Sequence, residues 1–294
     1  MRKFGIAVVI LLLIAALALM VTSTGILSVP FVGSWGPNVS STINMPFTTS
    51  LESETDHVAE IRAKLTTHTP HGQISVTGAD VAEVQIHMHV HTRAATPLRV
   101  QEIMGGVSLE MSSNHDENTV QVNIPKLRNN ETARADLTIL VPMQTQLDLK
   151  TGLGQVEVVN IEGSVRVLDQ LGTITLKDIK GDAYLETALG NIEITDSTFA
   201  DELVALSHLG DLTIEASLAN RNVLESSLGD VTLLLSPEES YVLEGELSLG
   251  SFNLSVPFKG QQGKGSIRGI VGEGEQRGSI VVDLSLGSLA IRLK

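Results

Sequence analysis

Cysteine is absent from the 294 residues, which excludes disulfides, a thiol nucleophile, a zinc–thiolate centre and a lipid-modified cysteine. Aromatic residues make up only 3% of the chain, so its core must be built from Val, Ile and Leu. Such side chains, many of them β-branched, pack well on pleated strands. No basic cluster follows Lys3 and the formal net charge is −14, which argues against a nucleic-acid partner, because affinity for phosphates comes from Lys and Arg. Several catalytic and binding signatures are also missing: HExxH, G-x-S-x-G, a P-loop lysine and the calcium-binding nonapeptide repeat. A carbohydrate-active enzyme needs clustered acid and base groups, usually in an aromatic-lined groove. Tyr184 and Tyr241 are the only tyrosines, and the one tryptophan, Trp35, lies far upstream. The sequence therefore predicts no enzyme and no cofactor.

What is present begins with Arg2 and Lys3 before the apolar run FGIAVVILLLIAALALMV at 4–21. A short basic region followed by such a run marks a signal anchor or a cleaved secretory signal. Its length favours an anchor spanning the membrane through 4–21, and basic residues hold that end in the cytoplasm. The expected localisation is a single-pass membrane protein with its C-terminal domain outside; cleavage near Ser23 would give a secreted protein. On this reading 1–25 is the anchor or signal and 26–56 a tether.

One pattern dominates the rest. LG followed by alternating apolar residues occurs from Leu153, Leu171, Leu189, Leu209, Leu228, Leu249 and Leu286, at intervals of 18, 18, 20, 19, 21 and 37 residues. Self-similarity near 20 residues is the mark of a solenoid. Each unit reads as two short strands, with Ile174 and Leu176 alternating against Thr173 and Thr175 before a turn at Gly181–Asp182. The Leu of each LG is expected to point into the stack, and the Gly to bend the chain. The 37-residue interval reads as two periods, with a degenerate turn around Gly265–Gly278.

Residues 57–150 alternate without the LG period and read as a less regular N-terminal β portion. Val84, Ile86, Met88 and Val90 form one face of a strand, and PLRVQEIM at 97–104 reads as a short helix with Leu98 and Ile103 inward. The predicted fold is all-β: a parallel β-solenoid of 18–21-residue turns over 151–294, the irregular portion at 57–150, and an N-terminal transmembrane helix.

The order GQISVTG, PLRVQEIM, TVQVNI and then DLTILVP leading into LDLKTGLGQVEV and repeated Gly-x-[IV]-x-[ILV] turns resembles a bacterial family of provisional adhesins, a domain of unknown function. The resemblance spans about 60–294, although this chain has Leu-Gly where the family often has Ser-Gly or Thr-Gly. It implies an exported or membrane-tethered β-solenoid and defines no catalytic residue.

Among candidate sites, His87, His89 and His91 lie on one face of a single strand, opposite Val84, Ile86, Met88 and Val90. Side chains two residues apart are about 6.5–7 Å from each other, close enough for two imidazoles to share a transition metal. The same three histidines also suit a merely solvated strand face. Asp211 and Asp230 would stack at successive corners, where a cation could relieve their repulsion. Ser207 and His208 are adjacent in a strand and should diverge.

These features predict a noncatalytic envelope protein that presents a β-solenoid as a scaffold or surface-interaction module. Its expected partner is an envelope protein or cell-wall polymer, with self-association allowed. A self-associating bactofilin-like solenoid is the first alternative, favoured if SLAIRLK forms an open last turn. A carbohydrate-active β-helix enzyme is the second.

Overall fold

The computed structural model describes residues 49–294, which form nineteen strands of one continuous sheet and one helix. The anchor expected at 4–21 lies outside the described residues. Among the described residues, no helix is long and apolar enough to cross a membrane. The expected single-pass topology, with its membrane partner, therefore finds no support and is not carried forward. The sole helix among the described residues is α1 (Pro97–Gly106).

In chain order the strands are β1 (Thr49–Ala59), β2 (Lys64–His71), β3 (Ile74–Ala79), β4 (Val84–Ala94), β5 (Ser108–Ser113), β6 (Glu117–Asn123), β7 (Thr132–Pro142), β8 (Gln146–Leu153), β9 (Val156–Ile161) and β10 (Val165–Leu171). They continue as β11 (Ile174–Leu189), β12 (Ile192–Leu209), β13 (Leu212–Ser217), β14 (Arg221–Leu228), β15 (Val231–Leu235), β16 (Glu239–Ser255), β17 (Phe258–Gln262), β18 (Ser266–Gly272) and β19 (Glu275–Leu293).

The sheet bends at each LG corner and again between successive corners. Strands β11 and β12 cross from one layer to the other at this second bend, near Gly181 and Ala200, and β16 and β19 cross at their own LG. One layer holds β6, β2, β8 and β10, then the C-terminal half of β11; the other holds β7, β3, β9 and the N-terminal half of β11. Alternate residues of both layers fill a single aliphatic core. Ile174, Ile192, Leu212, Val231 and Leu289 occupy one column of it, each with no exposed surface.

This is an all-β sandwich or barrel-like body rather than the predicted β-solenoid. A solenoid winds its turns in sequence order. Here β2 is inserted between β6 and β8, and β19 pairs with both β14 and β16. Five pairings are antiparallel: β1–β4, β4–β7, β5–β6, β16–β18 and β17–β18. The 37-residue interval before Leu286 is thus not a pair of turns. The chain leaves the ladder through β17 and β18, and β19 then returns between β15 and β16. The segment SLAIRLK is internal to the ladder, paired on both sides, so it is not the open last turn on which the bactofilin-like alternative rested.

Local departures have clear causes. In α1 the buried residues are Val100 and Ile103, whereas Leu98 is exposed, because inward positions on this one-sided helix recur every three residues. Thr96 caps it by accepting the Arg99 amide at 3.3 Å. The LG leucines from Leu153 to Leu228 stack on one another at the corner and stay half-buried; they close the rim of the core instead of filling it. Beside them, Gly190 has φ +151°, and a Cβ there would lie 1.8 Å from the Gly172 carbonyl oxygen. Neighbouring turns approach too closely at this column for any side chain. The last residues of the stretch read as a tether form part of β1, paired to β4.

Candidate functional site

The three histidines lie where their alternation placed them, outward on β4 between β1 and β7. Each faces an acid on β1: His87 opposite Asp56, His89 opposite Glu54 and His91 opposite Glu52. His87 Nδ1 is 2.8 Å from Asp56 Oδ1, and His89 Nε2 is 3.7 Å from Glu52 Oε2. On the other side, β7 sets Asp136 beside His89 and Arg134 beside His91. Arg134 pairs with Asp136 at 2.6 Å, and Asp136 also accepts the Gln73 amide at 2.7 Å. The result is an exposed mosaic of opposite charges. Among the described residues, no group of three or more His, Asp or Glu is arranged to hold a metal ion.

The corner acids are occupied by the backbone. Asn191 Oδ1 accepts the Asp211 amide at 3.0 Å, Asp211 Oδ1 the Asp230 amide at 2.8 Å, and Asp230 Oδ1 the Ser288 amide at 2.7 Å. Each carboxylate ties its turn to the next, and no cation is required to explain it. Ser207 is buried and donates to the Gly190 carbonyl at 3.1 Å, whereas His208 is exposed, so the two diverge. Glu186 accepts the Tyr184 hydroxyl at 2.9 Å on the outer surface.

Two buried polar clusters escaped the sequence reading. Glu239 accepts from Ser217 Oγ at 2.6 Å and from Tyr241 Oη at 2.9 Å, with Arg277 at 3.6 Å. Burial, reinforced by Glu239, pushes the Tyr241 hydroxyl well above the ordinary tyrosine range, so it serves as a fixed donor. In the second cluster Arg99 grips Glu131 through two bonds of 2.8 and 2.9 Å, and the Arg128 amide adds a third at 2.9 Å. The Arg99 guanidinium, with that amide, holds the Glu131 carboxyl down at about 2. This clamp fixes α1 against the chain entering β7. Neither cluster has a sequence signature, since Ser217, Arg277 and Arg99 each stand 22 to 38 residues from the carboxylate they meet.

No family model matches the chain, and no curated protein matches it. Among solved structures it is similar to a provisionally named cell adhesion protein from Clostridium sporogenes, at 13% identity and TM-score 0.38, covering 83% of this chain and 100% of that one. A provisionally named adhesin from Bacteroides fragilis shows 13% identity and TM-score 0.42, covering 82% and 97%. A provisionally named lipid-binding protein from Parabacteroides distasonis shows 10% identity and TM-score 0.40, covering 81% and 96%. The expected membership of a β-solenoid adhesin family is corrected accordingly: no family model supports it, and the strand order is not that of a solenoid. The expected envelope or cell-wall partner likewise gains nothing from these likenesses and is withdrawn. The described residues assemble no catalytic constellation.

Proposed function

We propose that the protein is a noncatalytic structural scaffold that works outside the cytoplasm. One observation carries this reading. The polar side chains that chemistry would need are committed to joining one strand to the next, as in the run from Asn191 through Asp211 and Asp230 to Ser288. A carboxylate held by a backbone amide is a fastener, not a poised acid or base. The basic and apolar N-terminal sequence supports export.

Two measurements on the purified full chain test the proposal. Incubation with polysaccharide, ester and phosphoester substrates should give no turnover, and culture fractionation should place the protein outside the cytoplasm. Sustained turnover of any substrate overturns the noncatalytic reading, and cytoplasmic retention overturns the location.

A further inference from the structure

One column of the core is polar. Thr151, Asp169, Thr187, Ser207 and Ser226 are aligned in register across β8, β10, β11, β12 and β14, and all are buried. Four of the five do the same thing. Thr151 donates to the Gly72 carbonyl at 3.1 Å, Thr187 to Gly172 at 3.3 Å, Ser207 to Gly190 at 3.1 Å and Ser226 to Gly210 at 3.2 Å. Each hydroxyl satisfies the corner carbonyl of the preceding turn.

The fifth residue is an acid. By the same offset its acceptor is the Gly154 carbonyl, which no other hydrogen bond in the described residues satisfies. Asp169 Oδ1 accepts the Leu171 amide at 3.1 Å, while Oδ2 is buried without a partner. The Gly154 carbonyl oxygen and Asp169 Oδ2 lie 1.8 and 2.7 Å from the same point, where a Cβ on Gly172 would sit. Two acceptor oxygens, that of Asp169 shut away from water, thus crowd one corner. A carboxylate cannot donate, but a carboxylic acid can.

We propose that Asp169 is a proton-operated latch: in its neutral form it donates to the Gly154 carbonyl as its Thr and Ser neighbours do, and ionisation releases the corner between β8 and β10. The surroundings offer no counter-charge. The flanking strands turn only Thr151 and Thr187 toward it, while Asp148, Lys150, Arg166 and Glu186 alternate to the outer surface. Beyond the corner, Val156 and Ile174 point inward, with Glu157 and Lys177 outward. His68 and His71 stand on β2, one strand beyond β8. Burial accordingly pushes the Asp169 carboxyl up to about 7 against the lowering effect of the Leu171 and Gln170 amides.

The folded form thus keeps its proton over a range in which the unfolded chain, at about 3.8, has lost its own. The stabilisation is complete below about pH 4, declines as pH rises, and is gone above about pH 7.

The experiment compares urea midpoints of the full chain, Asp169→Asn and Asp169→Thr at pH 4 and pH 8. Both replacements can donate permanently to Gly154. The three midpoints should lie close together at pH 4, and at pH 8 the natural chain should fall below both variants. Parallel behaviour of all three overturns the latch. Should neither variant fold, carbon-13 titration of the natural Asp169 carboxyl decides: a midpoint near 7 supports the proposal, and one in the ordinary carboxylate range overturns it.

Discussion

Ile192 lies directly beside Ile174 in parallel register, and neither exposes any surface. Glu193, the next residue, points into water opposite Thr175. Truncating Ile192 to Ala should cost about 2–5 kcal/mol, from lost transfer energy and the cavity left between two strands. Glu193→Ala should change stability by less than about 0.5 kcal/mol. Denaturant midpoints of the two variants check this, and equal losses would mean that the inward and outward columns are misassigned.

At the corner, Asp211→Ala removes the acceptor of the Asp230 amide, and about 1 kcal/mol of stability should go with it. Calcium should leave the melting temperature of the natural chain unchanged. A calcium-dependent rise lost in Asp211→Ala would show that the corner binds the ion.

For the histidine mosaic, titration calorimetry with zinc or nickel at pH 7 should detect no stoichiometric submicromolar site. His87 and His89 already have acidic partners, and the three rings lie along an open strand. Tight binding abolished by replacing His87, His89 and His91 together would establish a metal site and refute this expectation.

The Arg99–Glu131 clamp carries its own pH dependence, opposite in sign to that of Asp169. Its carboxyl is depressed in the folded state to about 2 from 4.5, so its contribution is present above about pH 4.5 and is lost as pH falls toward 2. In Glu131→Gln the acid limb of the stability profile should flatten. Amide exchange should quicken first in α1, and protection unchanged there would place the clamp's effect elsewhere.

Period-two alternation made the strands legible, together with their buried sets such as Val84, Ile86, Met88 and Val90. It could not order them in space. Alternation is a local property, whereas the placement of β19 between β15 and β16 depends on pairings between residues far apart in sequence, as between Thr232 and Ala290 or Tyr241 and Gly278. The outward position of His87, His89 and His91 was legible for the same local reason. Their acidic partners were not, because β1 meets β4 only through the fold. Asp169 alternates as an inward residue like its neighbours. Its peculiarity appears only when Thr151 and Thr187 are seen on either side.

The insertion of β19 also governs the order in which the molecule can be completed. As the chain emerges from the N-terminus, β14 and β15 present bare edges until residues 279–293 arrive, and β16 has no parallel neighbour before then. The chain's final segment is thus the wedge that joins its penultimate portion to everything made earlier. A non-local closure of this kind is slow and leaves strand edges open to other chains while it waits. Loss of only the last fifteen residues would therefore detach far more than fifteen residues of structure.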